Sequence, residues 1–224
     1  MNLEEKVRAV LEAHYHHRHP FNLRMHAGEL SQAELKLWVA NRFYYQENLP
    51  VKDALLFAKL PRSYRVGWLR RIHTHDTDGG IENWLKLGEA VGLNSEEIKD
   101  HRYLHPAAKF AVMAYVSYVR EEPWLYGVAS SLTELFSPGI MAVRTEAFEK
   151  YYPWVEPEGL RYFRNRLDQA PQEADQAMNI VNTHADSPEK EAGVLEAVRF
   201  KCDLLWTLLD GVELAYRDGY LEAG

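Results

Sequence analysis

The sequence predicts an all-α protein, a compact bundle of helices within a single domain over residues 1–224. Apolar side chains recur at helical spacing along most of the chain, and prolines and capping residues stand between the periodic segments. The alternation of apolar and polar residues that marks a half-buried strand is nearly absent. The 224 residues suffice for one large core, and 46% apolar and 26% charged residues are typical of a soluble globular chain.

Four helices are predicted in the first third of the chain. Apolar residues repeat from Leu3 to His14, and His19-Pro20 ends this segment because a residue before proline avoids the helical conformation. The capping box Ser31-Gln32-Ala33-Glu34 begins a strong helix, since its serine oxygen and glutamate carboxylate satisfy amide groups at the helix start. Pro50 and Pro61 are each expected to begin a shorter helix.

Turns and helices alternate through the rest of the chain. Asp76-Thr77-Asp78-Gly79-Gly80 is predicted as a turn. Asn94-Ser95-Glu96-Glu97 is a second capping box, and Pro106 begins a helix over 108–120 at its favoured first-turn position. Further helices are predicted over 123–136, 157–170 and 171–183, and Ser187-Pro188-Glu189 begins the last and longest helix.

Charge and cysteine content exclude several classes of function. Lys and Arg number 26 against 33 Asp and Glu, and no dense basic run offsets this balance, so no nucleic-acid partner is expected. No uncharged stretch approaches the roughly 18 residues that span a bilayer, and the acidic N-terminus lacks the apolar core of a secretory signal. Cys202 is the one cysteine, so an intrachain disulfide is impossible. These features predict a cytoplasmic protein without a membrane partner.

Several common catalytic motifs are missing from the sequence. It contains neither of the Gly-rich loops that bind dinucleotides and triphosphates, and no Gly-x-Ser-x-Gly nucleophile motif. None of the ten histidines has a Glu or Asp three residues upstream, which a di-iron helical bundle would show as Glu-x-x-His. The commonest helical metal site is therefore not expected.

Charged and polar side chains stand on helix faces that are otherwise apolar. Burying one unpaired cation costs several kcal/mol, so each needs an anionic partner. For any one of them, the simpler explanation is a core carboxylate or a charged end that reaches water. Several helices sharing this feature favour a cationic cavity that binds a small polyanion. The set comprises Arg42, His75, Tyr115, Arg166 and Lys201, with Lys52 and Arg144 nearby in the pattern.

Several long strings of the sequence resemble one known family. The most specific are Asn41-Arg42-Phe43-Tyr44-Tyr45-Gln46 and Ser130-Ser131-Leu132-Thr133-Glu134-Leu135-Phe136. Further matching strings are Tyr15-His16, His19-Pro20-Phe21, Leu49-Pro50-Val51-Lys52-Asp53-Ala54, His75-Asp76, Asp78-Gly79-Gly80-Ile81-Glu82, Tyr162-Phe163-Arg164-Asn165-Arg166-Leu167 and Phe200-Lys201-Cys202-Asp203. They run collinearly from about residue 8 to residue 217. Through them the chain resembles the pyrroloquinoline quinone synthase family.

This resemblance implies a seven-helix bundle of the haem-oxygenase-like class, usually a homodimer. It also implies an oxidase that needs no haem, metal or other cofactor. Such enzymes close a ring in a bicyclic amino-quinone precursor and oxidise it by eight electrons, consuming dioxygen and releasing hydrogen peroxide. The precursor carries several carboxylates, which agrees with the cationic cavity inferred from helical spacing.

The resemblance also assigns expected roles to particular residues. His75 is expected to be the principal general base, and His16, Tyr162 and Arg166 to shape the space where dioxygen meets the reduced ring. The residues expected to bind substrate are Arg42, Tyr45, Gln46, Lys52, Tyr115, Thr133, Glu134, Arg144 and Lys201.

Three positions depart from what the family pattern or the periodicity leads us to expect. Met141 stands where family members carry a histidine, and the loop between Asp76 and Asp78 is several residues shorter. Helical spacing places His14, rather than His16, on the apolar stripe of the first helix. These departures concern the late oxidation steps and leave the expected substrate-binding set intact.

Two alternative functions remain open at the level of sequence. Thiamine-salvage hydrolases share the implied fold and use a cysteine nucleophile, for which Cys202 is the one candidate. Cys202 lies about 100° around the helix from Lys201, so a packed structural cysteine is the simpler interpretation. A non-catalytic relative that binds the quinone is the second alternative, and Met141 supports it.

Overall fold

The computed structural model describes residues 1–77 and 79–221, and these residues form helices joined by short turns, with no strand among them. The α-helices are α1 (Leu3–His14), α2 (Pro20–Ala27), α3 (Gln32–Lys59), α4 (Arg62–Asp76), α5 (Gly80–Ala90), α6 (Ser95–Lys99), α7 (Pro106–Glu121), α8 (Trp124–Ala129), α9 (Ser137–Tyr151), α10 (Arg161–His184) and α11 (Pro188–Arg217). Short 3-10 segments cover His16–Arg18, Leu132–Leu135 and Pro157–Leu160. The predicted all-α fold is confirmed. In these ranges seven α-helices have twelve residues or more and four are shorter.

The long helix α3 occupies the middle of the bundle. It packs against α4, α5, α7 and α11, while α11 also packs against α1 and α7. Because neighbours cover α3 on several sides, residues around most of its circumference are buried. The Trp38 ring of α3 meets the Trp84 ring of α5 edge to face at 5.3 Å between centroids. Trp84 in turn meets Tyr162 of α10 at 4.9 Å, so aromatic contacts join three helices beside the polar centre.

The N-terminal segment turns earlier than its periodicity predicts. The buried stripe of α1 is Leu3, Val7 and Leu11, and α1 ends at His14, which is partly exposed. A 3-10 turn over residues 16–18 follows, and it carries His16 into the interior, where 6% of its surface is exposed. The placement of His16 implied by the family resemblance therefore agrees with the structure better than the periodicity that favoured His14.

Two prolines lie inside helices, and the prediction that they begin new helices is wrong. Pro50 lies within α3 and Pro171 within α10. An interior proline removes one backbone hydrogen bond and costs about 3 kcal/mol in an isolated helix. Both helices continue because their faces are buried on each side of the proline, and tertiary packing outweighs the local propensity. Pro61 does begin a helix as predicted, since it caps α4.

The predicted single helix over 123–136 is also wrong. The helix α8 ends at Ala129, and a 3-10 segment follows it. Just after this end, the Ser130 hydroxyl donates a hydrogen bond to the Gly127 carbonyl at 2.7 Å. No helix was predicted from the sequence over α2, α5 or α9. Residues 157–160 form a separate 3-10 turn before α10.

Several predicted helix starts are confirmed by cap geometry. Ser31 and Glu34 form the reciprocal capping box at α3, and Ser187 caps the 30-residue helix α11. Asn94 caps α6 by accepting from the Glu96 amide at 2.8 Å, without the reciprocal bond of a full box. In the predicted turn, Asp78 lies outside the described residues, and Gly79 is the N-cap residue of α5, with a φ of 85°. Among the described helices, none is long and apolar enough to cross a bilayer.

Candidate active site

A small polar cavity lies inside the bundle, where α3, α4, α9, α10 and α11 meet the first two 3-10 segments. Its free volume is about 20 Å³, close to the space of one water. Eight of the predicted site residues line it: His16, Arg42, Tyr45, His75, Thr133, Glu134, Tyr162 and Arg166. The remaining wall is formed by Tyr15, Leu49, Ser137, Met141 and Leu205.

The other five predicted residues contact this wall directly or through one neighbour. Lys201 Nζ donates to Tyr45 Oη at 2.7 Å and lies 3.4 Å from the centre of the Tyr115 ring. Gln46 Oε1 accepts from Tyr162 Oη at 2.9 Å. Lys52 Nζ lies 5.3 Å from the Tyr115 ring centre, and Arg144 Nη1 lies 4.0 Å from Met141 Sδ. All thirteen predicted residues are therefore gathered in one region, while their individual roles stay predictions.

Three buried cations in this region have no carboxylate partner within 4 Å among residues 1–77 and 79–221. We call Arg42, Arg144 and Lys201 the unpaired cations. The Arg42 guanidinium lies 4.8 Å from the ring centres of both Tyr45 and Trp84, and its Nη1 is buried without a hydrogen-bond partner. Aromatic rings offset only part of the desolvation cost of a buried cation. The unpaired cations therefore provide positive charge that a ligand can neutralise.

Burial lowers the pKa of two of the unpaired cations. Burial and the nearby charge of Lys52 hold the pKa of Lys201 well below its usual value. Burial and the charge of Arg42 lower the pKa of Arg144 to about 9. Both shifts have the same cause, since each side chain is withdrawn from water and faces another cation. A bound anion would oppose both shifts, because a nearby negative charge favours the charged form of each side chain.

A second set of buried charges is fully compensated. Arg166 and Arg71 share the carboxylates of Glu134 and Glu173: Arg166 Nη2 lies 2.7 Å from Glu134 Oε2, and Arg71 Nη1 lies 3.1 Å from Glu173 Oε2. Asp53 joins this set through Lys52 Nζ at 2.7 Å and Arg71 Nε at 3.3 Å. Burial alone would raise the pKa of the Glu173 carboxyl, but Arg71, the His75 ring and Arg166 hold it well below its usual value.

Arg71, Glu173 and Asp53 were not predicted as site residues. Arg71 stands three residues after Trp68 and four before His75, so the same helical spacing that identified His75 places Arg71 on that face. Glu173 stands seven residues after Arg166, which is two turns along one face. Periodicity could therefore have found both, whereas their pairing with each other depends on the packing of α4 against α10.

The two candidate histidines lie in different surroundings. His75 Nε2 is 3.5 Å from Glu173 Oε1, just beyond a good hydrogen bond, and the ring is 2% exposed. His16 is held by Asn22, which was not predicted as a site residue either. Burial, followed by the charges of Arg144 and Arg42, holds the pKa of His16 well below its usual value, so the ring is neutral. Position and charge thus make His75, which faces a carboxylate, the better candidate for a base.

Two tyrosines of the cavity wall, Tyr45 and Tyr15, are held as neutral hydroxyls. Burial and the adjacent Tyr115 raise the pKa of Tyr45 well above its usual value, even though Arg42 lies close to its ring. Burial and the charge of Glu134 likewise raise the pKa of Tyr15. Neutral phenols donate hydrogen bonds, so these side chains suit oxygen acceptors on a ligand.

The structure disfavours Cys202 as a nucleophile. Its side chain is buried, and burial together with Asp203 raises the pKa of the thiol to about 12. A reactive cysteine needs an accessible thiol with a lowered pKa. The residues described in the structure also contain no group of three or more His, Cys, Asp or Glu side chains arranged to hold a metal ion.

The fold matches solved structures of the haem-oxygenase-like class. A domain of unknown function with a heme oxygenase-like fold from Shewanella denitrificans superposes with a TM-score of 0.81 at 15% identity, over 96% of this chain and 92% of that chain. A TenA homologue from P. horikoshii gives a TM-score of 0.77 at 14% identity, over 97% of this chain and 99% of the other. These likenesses confirm the predicted fold.

Several proteins are much more similar to this chain in sequence than these solved structures are. A Klebsiella pneumoniae (strain 342) protein named pyrroloquinoline-quinone synthase is 44% identical over 218 residues, which cover 95% of this chain and 86% of that protein. A protein of the same name from Gluconobacter oxydans (strain 621H) is 42% identical over 227 residues, covering 99% of this chain and 95% of the relative. A sequence model of the TENA/THI-4/PQQC family matches residues 5–211. The family resemblance predicted from the sequence is confirmed, and the chain belongs to the TENA/THI-4/PQQC family.

Proposed function

We propose that the chain is a pyrroloquinoline-quinone synthase, an enzyme that completes the quinone cofactor from its bicyclic amino-quinone precursor. The relatives that bear this name are 42% and 44% identical to it over nearly its whole length, which supports the synthase function predicted from the sequence. The observation that carries the proposal is the group of unpaired cations. Buried positive charge without a carboxylate partner suits a substrate that supplies several carboxylates of its own.

The expected reaction is ring closure followed by eight-electron oxidation, with dioxygen consumed and hydrogen peroxide released. Arg42, Arg144 and Lys201 would hold the carboxylates and quinone oxygens of the precursor. His75 would remove protons from the ring as the general base. Positive charge at Arg166, beside Tyr162 and His16, would stabilise superoxide or peroxide as it forms, without a bound cofactor. A homodimer in the cytoplasm remains part of the proposal.

The decisive experiment mixes purified, metal-stripped protein with the precursor in air. Quinone absorbance and hydrogen peroxide are followed together. Several turnovers per protein molecule, with peroxide formed and no response to added metal ions, are the expected result. Tight binding that stops before the quinone would contradict turnover. A matched sample carrying Lys201→Met tests whether product depends on the cavity rather than on a contaminant.

A second function is favoured by one observation, the identity of residue 141. Met141 lines the cavity with its sulfur 4.0 Å from Arg144 Nη1, at a position where a histidine is expected from the family. A thioether accepts hydrogen bonds only weakly and moves no proton. A quinone-binding relative that does not complete oxidation would have this property. If the chain only binds the quinone, Met141→His would convert a stalled complex into an enzyme that turns over precursor. If the chain is a synthase, it turns over precursor with Met141 in place.

A further inference from the structure

We propose that Asn22 is a positioning residue that fixes the tautomer of His16 and makes this histidine a hydrogen-bond donor toward the cavity. Asn22 lies in the first turns of α2, directly after the 3-10 turn that carries His16 inward, and its side chain is fully buried. The claim about the tautomer stands on geometry alone. The claim that this donor serves catalysis rests on the proposed synthase function.

The orientation of the Asn22 amide follows from its neighbour Arg144. Arg144 Nη2 lies 3.0 Å from Asn22 Oδ1. A guanidinium has donors and no acceptor, so the amide atom facing it must be the oxygen. Oxygen and nitrogen of an amide are hard to tell apart by shape, but here the chemistry of Arg144 leaves one choice. The amide nitrogen Nδ2 therefore points toward His16.

The same reasoning continues from the amide to the imidazole. Asn22 Nδ2 donates to the His16 carbonyl oxygen at 2.8 Å and lies 2.9 Å from His16 Nδ1. Nδ2 carries two hydrogens and accepts none, so Nδ1 must act as the acceptor and carry no proton. The proton of the neutral ring then resides on Nε2. A doubly protonated ring would place Nδ1–H against an N–H group, and burial beside Arg144 also opposes that charge.

Nε2 is the one ring nitrogen of His16 left for a ligand. None of the residues that the structure describes forms a hydrogen bond with it, and the ring lines the cavity together with Tyr162 and Arg166. The Nε2–H group is therefore a fixed donor for an oxygen acceptor. In this arrangement His16 does not take up protons, and base chemistry is left to His75. Arg144, Asn22 and His16 form one chain of donors that ends at the cavity.

The test reads the tautomer directly in the full-length protein. Nitrogen-15 in the histidine rings, observed through long-range proton–nitrogen correlation, distinguishes a protonated Nδ1 from a protonated Nε2, and His16→Gln identifies the His16 signals by their loss. We expect Nε2 protonated and Nδ1 unprotonated in the original chain at pH 7.5. A protonated Nδ1 overturns the proposal, whether or not the protein turns over precursor. The expected tautomer in a protein without synthase activity would contradict the proposed function alone.

Asn22→Asp is the matching variant. A carboxylate accepts where the amide donated, so we expect the proton to move to Nδ1 of His16, while Arg144 gains a charged partner that favours folding. The same substitution at Asn179, an exposed residue of α10, should leave the His16 signals unchanged. An unchanged tautomer in folded Asn22→Asp would overturn the proposal. If that variant does not fold, Asn22→Ala should give a mixture of tautomers, and retention of pure Nε2–H would have the same meaning.

Precursor added under nitrogen tests the donor role itself. A change of the Nε2–H signal under nitrogen assigns the acceptor oxygen to the precursor, and a change seen only after air is admitted assigns it to a species formed from dioxygen. No change in either condition overturns the donor role. In an active synthase, Asn22→Asp should lower kcat by about 100-fold, as the loss of one aligned donor does in other enzymes, and change KM far less.

Discussion

Arg166 and Glu173 form a buried two-point ion pair along one face of α10, with Nη1 to Oε1 at 2.9 Å and Nη2 to Oε2 at 3.0 Å. The Glu173 carboxylate also contacts Arg71 of α4 at 3.1 Å and lies 3.5 Å from His75 Nε2. One carboxylate thus joins the candidate base to the arginine on the side where dioxygen is proposed to react. Each arginine has a second carboxylate partner, Glu134 for Arg166 and Asp53 for Arg71, and Glu173 is the anion that both contact.

Glu173→Gln tests this pair by removing the charge and keeping the shape. Arg71 and Arg166 would lose a shared buried anion, so the free energy of unfolding should fall by about 3–5 kcal/mol. Denaturant unfolding at pH 7 measures the change. The control is Glu149→Gln, which removes an exposed ion pair with Arg164 and should cost at most about 1 kcal/mol. Equal losses in the two variants would refute a special role for Glu173.

Lys201→Met tests the unpaired cations. The variant removes a buried charge without a carboxylate partner, so affinity for the precursor should weaken by about 2–5 kcal/mol while the ligand-free protein gains about 1–4 kcal/mol in stability. Calorimetric binding and denaturant unfolding give the two values. Lys190→Met, at an exposed site of α11, should change stability by no more than about 0.5 kcal/mol. Undiminished affinity in Lys201→Met would contradict the proposed binding role.

The stability gained in Lys201→Met should depend on pH. The pKa of Lys201 is lowered in the folded protein, mainly by burial, whereas the unfolded chain has the ordinary value near 10.5. Between these two values the unfolded state binds more protons, so the contribution of Lys201 to stability improves as pH rises and worsens as pH falls. The advantage of the methionine variant should therefore be greatest at neutral pH and shrink toward pH 10.5. A difference in unfolding free energy that stays constant from pH 7 to pH 10 would rule out this explanation.

His75→Asn tests the general base. Asparagine keeps a polar side chain of similar reach but takes up no proton at neutral pH, so kcat should fall by about 10²–10⁴. The dissociation constant for the precursor should stay within about threefold, because the cationic side chains would still bind it. Stopped-flow kinetics and calorimetry separate the two effects. His73→Asn, on the exposed side of the same helix, serves as the control. Loss of binding in His75→Asn would show that the residue positions the substrate instead.

Helix starts were predicted best where a local hydrogen bond decides them. Ser31 and Ser187 cap their helices as the sequence indicates, because capping depends on residues within one turn. The prolines show the limit of this reasoning. Pro50 and Pro171 read as helix starts, yet packing on both sides of each proline keeps one continuous helix. Tertiary packing therefore outweighs local helix propensity where a long helix is covered by several neighbouring helices.

The candidate site was predictable in its residue types but not in its pairings. Helical spacing found Arg42 and Lys201 on apolar faces, and both are buried. The same spacing could not show that Lys52 forms an ion pair with Asp53 while Arg42 has no carboxylate partner. That difference depends on which helices contact each other in the fold. Asn22 carried no signal at all, because its role exists only once a 3-10 turn brings His16 beside it.

The burial of Cys202 affects the resistance of the protein to oxidation by the product of its proposed reaction. Hydrogen peroxide, the expected by-product, oxidises thiolates far faster than thiols. With the pKa of the thiol raised to about 12, the side chain is almost entirely the less reactive thiol at neutral pH. The cysteine is also shielded by the packing of α11. Peroxide formed during sustained turnover should therefore leave the Cys202 thiol unoxidised. This thiol should remain reduced without help from a thiol-repair system.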